Sequence, residues 1–481
     1  MTVGISTSTL DAIVIGGGPN GLAAAIELAR AGRSVRLYEA AETVGGGSRS
    51  AELTLPGFVH DPCSAVHPLA LASPFMRSLD SAHHGLEWVQ PDVPVAHALA
   101  PGRSVILARE LDALEDAGWP ARDAIAWRRL LGPLVHEWER LMPAVLGPVV
   151  RPPRHPILMA RFGLPGLLPA TTLARLAFRS AGTRALFAGL AAHSMLRLDR
   201  PLTAAFGFVL ATLAHAVGWP LARGGSGQIV AMLEAEARSL RVEIVTGHRV
   251  ESLAELPTAR AVLMDLTPRQ VVAIAGDRLP RGYRRALSGF RYGPGVFKVD
   301  WALDGPIPWQ DPGTARAGTV HLGGTMDEVA RGETAIARGR TVERPFVLLV
   351  QPTVADPTRA PAGKHVAWAY CHVPNGSTED MTDVIESQVE RFAPGFRDLI
   401  LAKSTRDSAA MEAYDANYIG GDINGGIQDV RQLLFRPVLR WNPYITPDPG
   451  LFLCSSSTPP GGGVHGMSGY HAARSALRVL R

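Results

Sequence analysis

The residues best placed to do chemistry are glycines near each end of the 481-residue chain. Near the start, Asp11-Ala-Ile-Val-Ile15 runs directly into Gly16-Gly17-Gly18-Pro19-Asn20-Gly21, and apolar positions then recur at helical spacing from Leu22 to Ala31. The apolar, β-branched run reads as a parallel strand buried on both faces. Gly32 is placed to end the helix. In such a strand, loop and helix, Gly16 permits the tight turn, Gly18 lets a pyrophosphate approach the backbone, and Gly21 lets helix and strand pack closely. The helix N-terminus presents free amides and a positive dipole end to the phosphates. A second strand, Ser34 to Glu39, ends on an acid at about the 20-residue distance where such loops place a ribose ligand. A glycine-rich turn without a ligand is the alternative, and the flanking strand, helix and acid argue against it.

Further glycines follow in Val44-Gly45-Gly46-Gly47-Ser48-Arg49-Ser50. They again let main chain approach a diphosphate. At the far end a buried-type strand, Gly450 to Cys454, leads through Pro459-Pro460-Gly461-Gly462-Gly463-Val464-His465-Gly466-Met467-Ser468-Gly469 into an Ala-rich helix. Gly461 to Gly466 also fits Gly-x-Gly-x-x-Gly. A second nucleotide-binding domain does not follow from that, because no further strand or ribose-binding acid comes after it.

These elements, with Tyr418-Ile-Gly-Gly-Asp-Ile-Asn424, resemble the FAD-dependent amine-oxidase and phytoene-desaturase superfamily, in particular its bacterial phytoene-dehydrogenase-like branch. The resemblance runs over most of the chain and is most specific at residues 11–50, 220–232 and 418–474. It implies FAD as cofactor, with Gly16, Gly18, Pro19, Asn20 and Gly21 at the diphosphate and Glu39-Ala40 at the ribose. Gly46, Gly47, Ser48 and Arg49 form its Gly-Gly-x-x-Arg-Ser/Thr element, where Arg49 would supply a charge-assisted hydrogen bond; a surface arginine is the alternative. Main chain near Arg249 and Val250 would pack on the adenine. In the terminal flavin motif, Gly462, Gly463, Val464, Gly466, Met467 and Ser468 would bring helix amides to the pyrimidine edge of the ring and stabilise negative charge as it is reduced.

Positioning these segments requires an α/β fold with a split Rossmann-type FAD-binding domain, in three pieces at 1–105, 215–290 and 406–481. The middle piece is the turn Gly224-Gly-Ser-Gly227, a helix, and the strands Val242–Val250 and Ala261–Asp265. Residues 106–214, mainly helical with a Pro-rich interruption from Pro148 to Pro169, and residues 291–405 would form a substrate domain. Strand-like runs at 296–303, 346–352 and 365–372 and an amphipathic helix from Asp380 to Phe392 suggest an antiparallel sheet over the flavin. Leu202 to Ala222 holds no charged residue. It reads as a buried helix lining a substrate channel, with a peripheral membrane contact or a span as alternatives. Arg175, Arg179 and Arg184 beside it keep a membrane-surface contact in view.

The resemblance implies dehydrogenation of a hydrophobic small molecule, such as an isoprenoid or polyene, by hydride transfer to flavin N5. An amine oxidase is the nearest rival, and a non-catalytic lipid escort of the GDP-dissociation-inhibitor type a rival of another class. Lys298, one of only three lysines, His465 in the terminal motif, and His67 are the catalytic candidates, with His60 and Asp61 close behind. Tyr414, Asn417 and Asp422 would shape the flavin face, with a structural turn role in Gly-Gly-Asp as the alternative for Asp422, and His193 reads as a core residue.

The chain is 46% apolar and 19% charged with a net charge of +4, enough to bury large cores. Basic residues are not interleaved with aromatics, which argues against nucleic acid. Cys63, Cys371 and Cys454 form no Cys-x-x-Cys, so a dithiol active site and a Cys-rich metal site are not expected. The N-terminus lacks a signal-peptide pattern, and a cytoplasmic location is the expectation. Oligomeric state and electron acceptor stay open.

Overall fold

A computed structural model describes residues 9–148 and 151–481. The chain begins with strand β1 (Leu10–Ile15), helix α1 (Pro19–Arg30) and strand β2 (Val35–Tyr38). It then crosses to a second sheet as the hairpin β3 (Val93–Ala100) and β4 (Arg103–Leu107). Helices α2 (Ala121–His136), α3 (Trp138–Val145), α4 (Pro156–Gly166), α5 (Ala170–Ala177), α6 (Ala181–Ala192) and α7 (Thr203–Ala216) follow. It returns with α8 (Gly227–Ser239), β5 (Glu243–Val245) and β6 (Ala259–Met264). A second excursion makes β7 (Gly295–Leu303), β8 (Ala317–Leu322), β9 (Val347–Val350), β10 (His365–Val373) and β11 (Ile400–Arg406). Strand β12 (Leu451–Leu453) and helix α9 (Met467–Val479) close the chain.

The first sheet has the order β12-β6-β1-β2-β5 and its pairs are all parallel. β1 lies in the middle, so Ala12, Ile13 and Val14 are fully buried, as a strand covered on both faces must be. α1 crosses this sheet with an unbroken run of buried small residues, Ala23 to Ala25, and lies against α9. The approach is close enough that a Cβ on Gly469 would meet the Asn20 carbonyl at 1.8 Å. The first and last segments of the sequence therefore form one packed unit.

The second sheet has the order β11-β7-β10-β9-β8-β3-β4 and is antiparallel except where β8 runs parallel to β3. Here the structure corrects the division drawn from sequence, which gives residues 1–105 to the cofactor domain: β3 pairs with β8 from Ala317↔Val93 to Leu322↔Ala98. The apolar run of β3 suits either sheet, and only its long-range partner decides. Strands β8 and β11 lie in stretches the sequence presents as connections. On the outer face of this sheet Phe297, Val299 and Trp301 pack against Ile385, Val389 and Phe396, in and just beyond the helix Thr382–Glu390.

The Pro-rich stretch also departs from expectation. It contains α4, because Pro156 sits at the first helical position, where the missing N–H has no partner to lose. α7 occupies the uncharged stretch and is largely buried. No single helix among the described residues is long and apolar enough to cross a membrane.

Candidate active site

A cavity of about 290 Å³ is walled on one side by loops that follow the strands of the first sheet and on the other by strands of the second. Gly18, Pro19, Asn20, Gly46, Gly47 and Ser48 line one end. Gly16 turns with φ 99°, a conformation that L side chains rarely adopt. A Cβ on Gly47 would lie 1.8 Å from the Tyr418 hydroxyl, so the loop leaves no room for any side chain there. Asn20 Oδ1 and Ser48 Oγ are buried without a partner, and both residues face this end. Buried polar atoms of this kind want a hydrogen-bonding ligand. A glycine cradle, two orphan polar atoms and a helix N-terminus together fit the diphosphate of a dinucleotide.

Glu39, at the end of β2, accepts Gly17 N–H at 2.7 Å and Ala41 N–H at 2.8 Å, which fixes its carboxylate beside the loop. The turn carrying Arg249 and Val250 is tied to the same place, through Gly247 N–H to the Ala41 carbonyl and His248 N–H to the Glu39 carbonyl. Val250 is buried and Arg249 exposed. Arg49 turns back on its own loop. It donates to the Thr43 carbonyl at 2.6 Å and the Gly46 carbonyl at 3.3 Å and lies 3.5 Å from Glu39, holding the glycines rather than facing the cavity.

Later segments brace these loops. Tyr414 donates to the Gly46 carbonyl and Asn417 to the Asp265 carbonyl. Asp422 accepts from Gly293, Asn424 and Gly426 amides, the structural turn role. Asp61 is fully buried and accepts Ser50 Oγ–H, Ser226 N–H and Arg359 Nη2–H, joining the end of the Val44–Ser50 glycine segment to the start of α8. The buried Arg436 gathers the carbonyls of Gly425, Ser456 and Ser457, loops that also line the cavity.

Strand register explains the opposite end. Across the second sheet, Lys298, Tyr370, Leu348, His321 and His97 form one row, and Asp300, Trp368, Val350, Thr319 and Val95 the next. Both rows lie on the face toward the first sheet. The middle positions, Trp368, Tyr370, Leu348, Val350 and Thr319, line the cavity together with Leu210 and Trp219. Trp368 and Tyr370 stack with ring centres 5.9 Å apart. This aromatic pair is not singled out from sequence, although its i,i+2 spacing within a strand places both rings on one face.

The catalytic candidates separate. Of the three, His67 alone is on the cavity wall. The Ser226 hydroxyl donates to the Ser64 carbonyl, so His67 Nε2–H donates to Ser226 Oγ and leaves Nδ1 with a lone pair. Burial holds this histidine neutral, its pKa pushed down to about 4. Lys298 does not reach the cavity: it is buried behind Trp368, 4.7 Å from that ring's centre, and ion-paired with Asp300. His465 is also withdrawn. Its Nδ1 accepts Met467 N–H and its Nε2 donates to the Gly461 carbonyl, so it shapes the turn before α9. Gly463 and Val464 line the cavity, while Gly462, Gly466, Met467 and Ser468 stand behind them. His60 is buried among Lys298, Arg359 and Arg406 and stays neutral, with a pKa near 3 from burial and those charges. His193, taken from sequence as a core residue, lines the cavity and shares a hydrogen bond with His321 at 3.2 Å.

Asp265 at the end of β6 is the other residue missed. Its Oδ2 accepts Gly21 N–H at 2.9 Å beside the glycine loop. Burial raises its pKa to about 8, with the Asp415 and Glu39 charges adding to the effect. Between the ordinary carboxyl value of 3.8 and about 8, the folded chain thus holds a proton that the unfolded chain has already released. Stability from this group is full at acid pH and falls as pH rises through that window. Asp265→Asn is expected to flatten the pH dependence. Between pH 6 and 8 wild type loses about 2 kcal/mol more than the variant, read from melting curves at each pH.

The Rossmann-like parallel sheet and the cleft it shares with a second sheet give a mixed α/β fold that recurs in solved oxidoreductases and amine oxidases. Residues 14–77 match the family described as NAD(P)-binding Rossmann-like domain. The chain is 25% identical to the rat pyridine nucleotide-disulfide oxidoreductase domain-containing protein 2 over 98% of its own length and 94% of the relative's. It is 28% identical to phytoene dehydrogenase of Streptomyces griseus, covering 82% of this chain and 78% of that one. The solved structure of putrescine oxidase bound to putrescine shares the fold, with a TM-score of 0.62, 16% identity and 98% of each chain covered. These relatives imply a flavin cofactor.

Proposed function

We propose that the protein is an FAD-dependent dehydrogenase that desaturates a hydrophobic small molecule. The observation that carries this is the apolar and aromatic middle of the sheet wall, Trp368, Tyr370, Leu348 and Val350, facing the glycine-lined end. When bound, FAD supplies a hydride acceptor at N5, so the reaction removes a hydride and a proton from adjacent carbons of the substrate. Gly46, Gly47, Gly463 and Val464 would hold the cofactor, and the sheet wall excludes water and orients the chain of the substrate. His67 Nδ1 is the proton acceptor on the wall, neutral and with its other nitrogen fixed by Ser226. The relative named as a phytoene dehydrogenase supports this reading.

The stacked Trp368 and Tyr370 favour a second reading, oxidation of an amine whose carbon lies between aromatic faces. Anaerobic mixing of the FAD-loaded protein with a panel of alkenes, polyenes and amines separates the two. Bleaching of the flavin by polyenes or alkenes supports desaturation; bleaching by amines alone overturns it. Under the leading reading, Trp368→Ala removes a buried ring worth about 1.5–3 kcal/mol of apolar contact. KM for the apolar substrate should rise ~10- to 100-fold, with the flavin still bound.

A further inference from the structure

Away from the cleft, the helical layer carries an apolar and basic face. Between Glu139 and Asp199 the chain has no carboxylate side chain and eight arginines. On α4, Ile157, Ala160, Arg161 and Leu164 are exposed at the i, i+3, i+4 and i+7 spacing that makes one stripe, with Ile157 and Leu164 exposed by 73% and 69%. Leu167 is exposed just beyond, and after a bend of 100° α5 exposes Leu176 by 71%. Single exposed apolar residues are ordinary on a surface, but one isoleucine and three leucines on two consecutive helices and the bend between them are not. Arg154, Arg161 and Arg179 are exposed and make no ion pair among the described residues; Arg175 pairs with Asp327 on the surface.

We propose that α4 and α5 dock the protein on an anionic lipid bilayer. Apolar side chains entering the acyl boundary, with arginines at headgroup level, is the chemistry of an interfacial helix, and negative headgroups complement a segment that carries no carboxylate of its own between Glu139 and Asp199. A second copy of this chain fits poorly, since a two-fold contact would set these arginines against each other. The face also has a short route to the cleft. α4 packs on α7, where a Cβ on Gly166 would meet Ala205 Cβ at 3.2 Å, and α7 supplies Leu210 to the cavity wall. Delivery of an apolar substrate from the bilayer rests on the function proposed above; the docking itself does not.

The test is co-sedimentation of the full-length, FAD-loaded protein with vesicles of phosphatidylcholine alone and of phosphatidylcholine with phosphatidylglycerol. Binding should require the anionic lipid and weaken with added salt. Ile157→Glu with Leu164→Glu, both at exposed positions, should weaken it ~10-fold or more while flavin absorbance and melting temperature hold. Absence of binding, equal binding to both vesicle types, or unchanged binding by the double variant overturns the proposal. So does a wild-type dimer that the double variant converts to monomer, which would assign the face to a second copy. Because no substrate is present, a negative result here is separable from failure of the desaturase reading.

Discussion

Replacing Gly21 with alanine is expected to yield a protein that purifies without a flavin's yellow colour. A Cβ at this position would lie 1.9 Å from the Gly16 carbonyl oxygen and 3.2 Å from Asp265 Oδ2. The first obstacle is backbone, held by β1 at the centre of the parallel sheet, and cannot rotate away as a side chain would. α1 must therefore lift off the strand, and its first turn carries with it Asn20, which lines the cleft. Overpacking at a rigid site costs about 1–3 kcal/mol and more where only backbone can give. The displaced loop should weaken FAD binding at least ~100-fold, about 2.7 kcal/mol. Gly132→Ala is the control. It lies inside α2 with open space where the Cβ would go, so alanine there should be neutral or stabilising by up to about 1 kcal/mol. Equal flavin content in the two variants would mean that the close packing at Gly21 does not hold the loop.

The second large effect is expected at Arg359. Its guanidinium is fully buried, donates from Nε to the Val59 carbonyl at 3.0 Å, and pairs with Asp61 at 2.8 Å. Arg359→Leu leaves the Asp61 carboxylate buried without its cation, which costs about 3–5 kcal/mol. The loss should appear as a lower denaturant midpoint with the slope unchanged. Burial alone would raise the Asp61 pKa, but Arg359 and the hydrogen bonds from Ser50, Arg359 and Ser226 lower it below the ordinary 3.8. This pairing therefore stabilises above about pH 4 and is lost as pH falls through the folded value. Without Arg359 the carboxyl takes up its proton at higher pH, so the deficit should shrink on acidification. Asp61→Asn in the Arg359→Leu background should recover part of it at neutral pH. A deficit that does not depend on pH would show that packing, rather than the stranded charge, sets the cost.

What the sequence reveals depends on how locally each feature is determined. Gly16 to Gly21 and Gly461 to Gly469 are legible because turn, close approach and helix start are all written within a few residues. Their meeting, Gly469 against Asn20, follows from the shared parallel sheet. Lys298 and His465 show the limit. Each sits in a segment that passes near the cleft, yet Asp300 two residues along the strand captures the lysine, and the turn's own amide and carbonyl capture the histidine. Trp368, Tyr370 and Asp265 become functional only through long-range pairing: Trp368 and Tyr370 through β9 and β7, and Asp265 through β1. The hairpin β3–β4 is similar, since nothing within residues 93–107 says which sheet it joins. An acid ending an apolar strand, and two aromatics two residues apart in a strand, are the signals that would have pointed to the missed residues.

Whether the glycine-lined end of this cleft holds FAD is decided by titrating the protein stripped of nucleotide. Adding FAD, and in a separate cell NAD+ or NADP+, while following flavin absorbance and heat of binding should show one FAD per chain. Neither nicotinamide nucleotide should compete for the site. Saturable binding of NAD+ or NADP+ with no uptake of FAD would assign the site to a nicotinamide nucleotide instead.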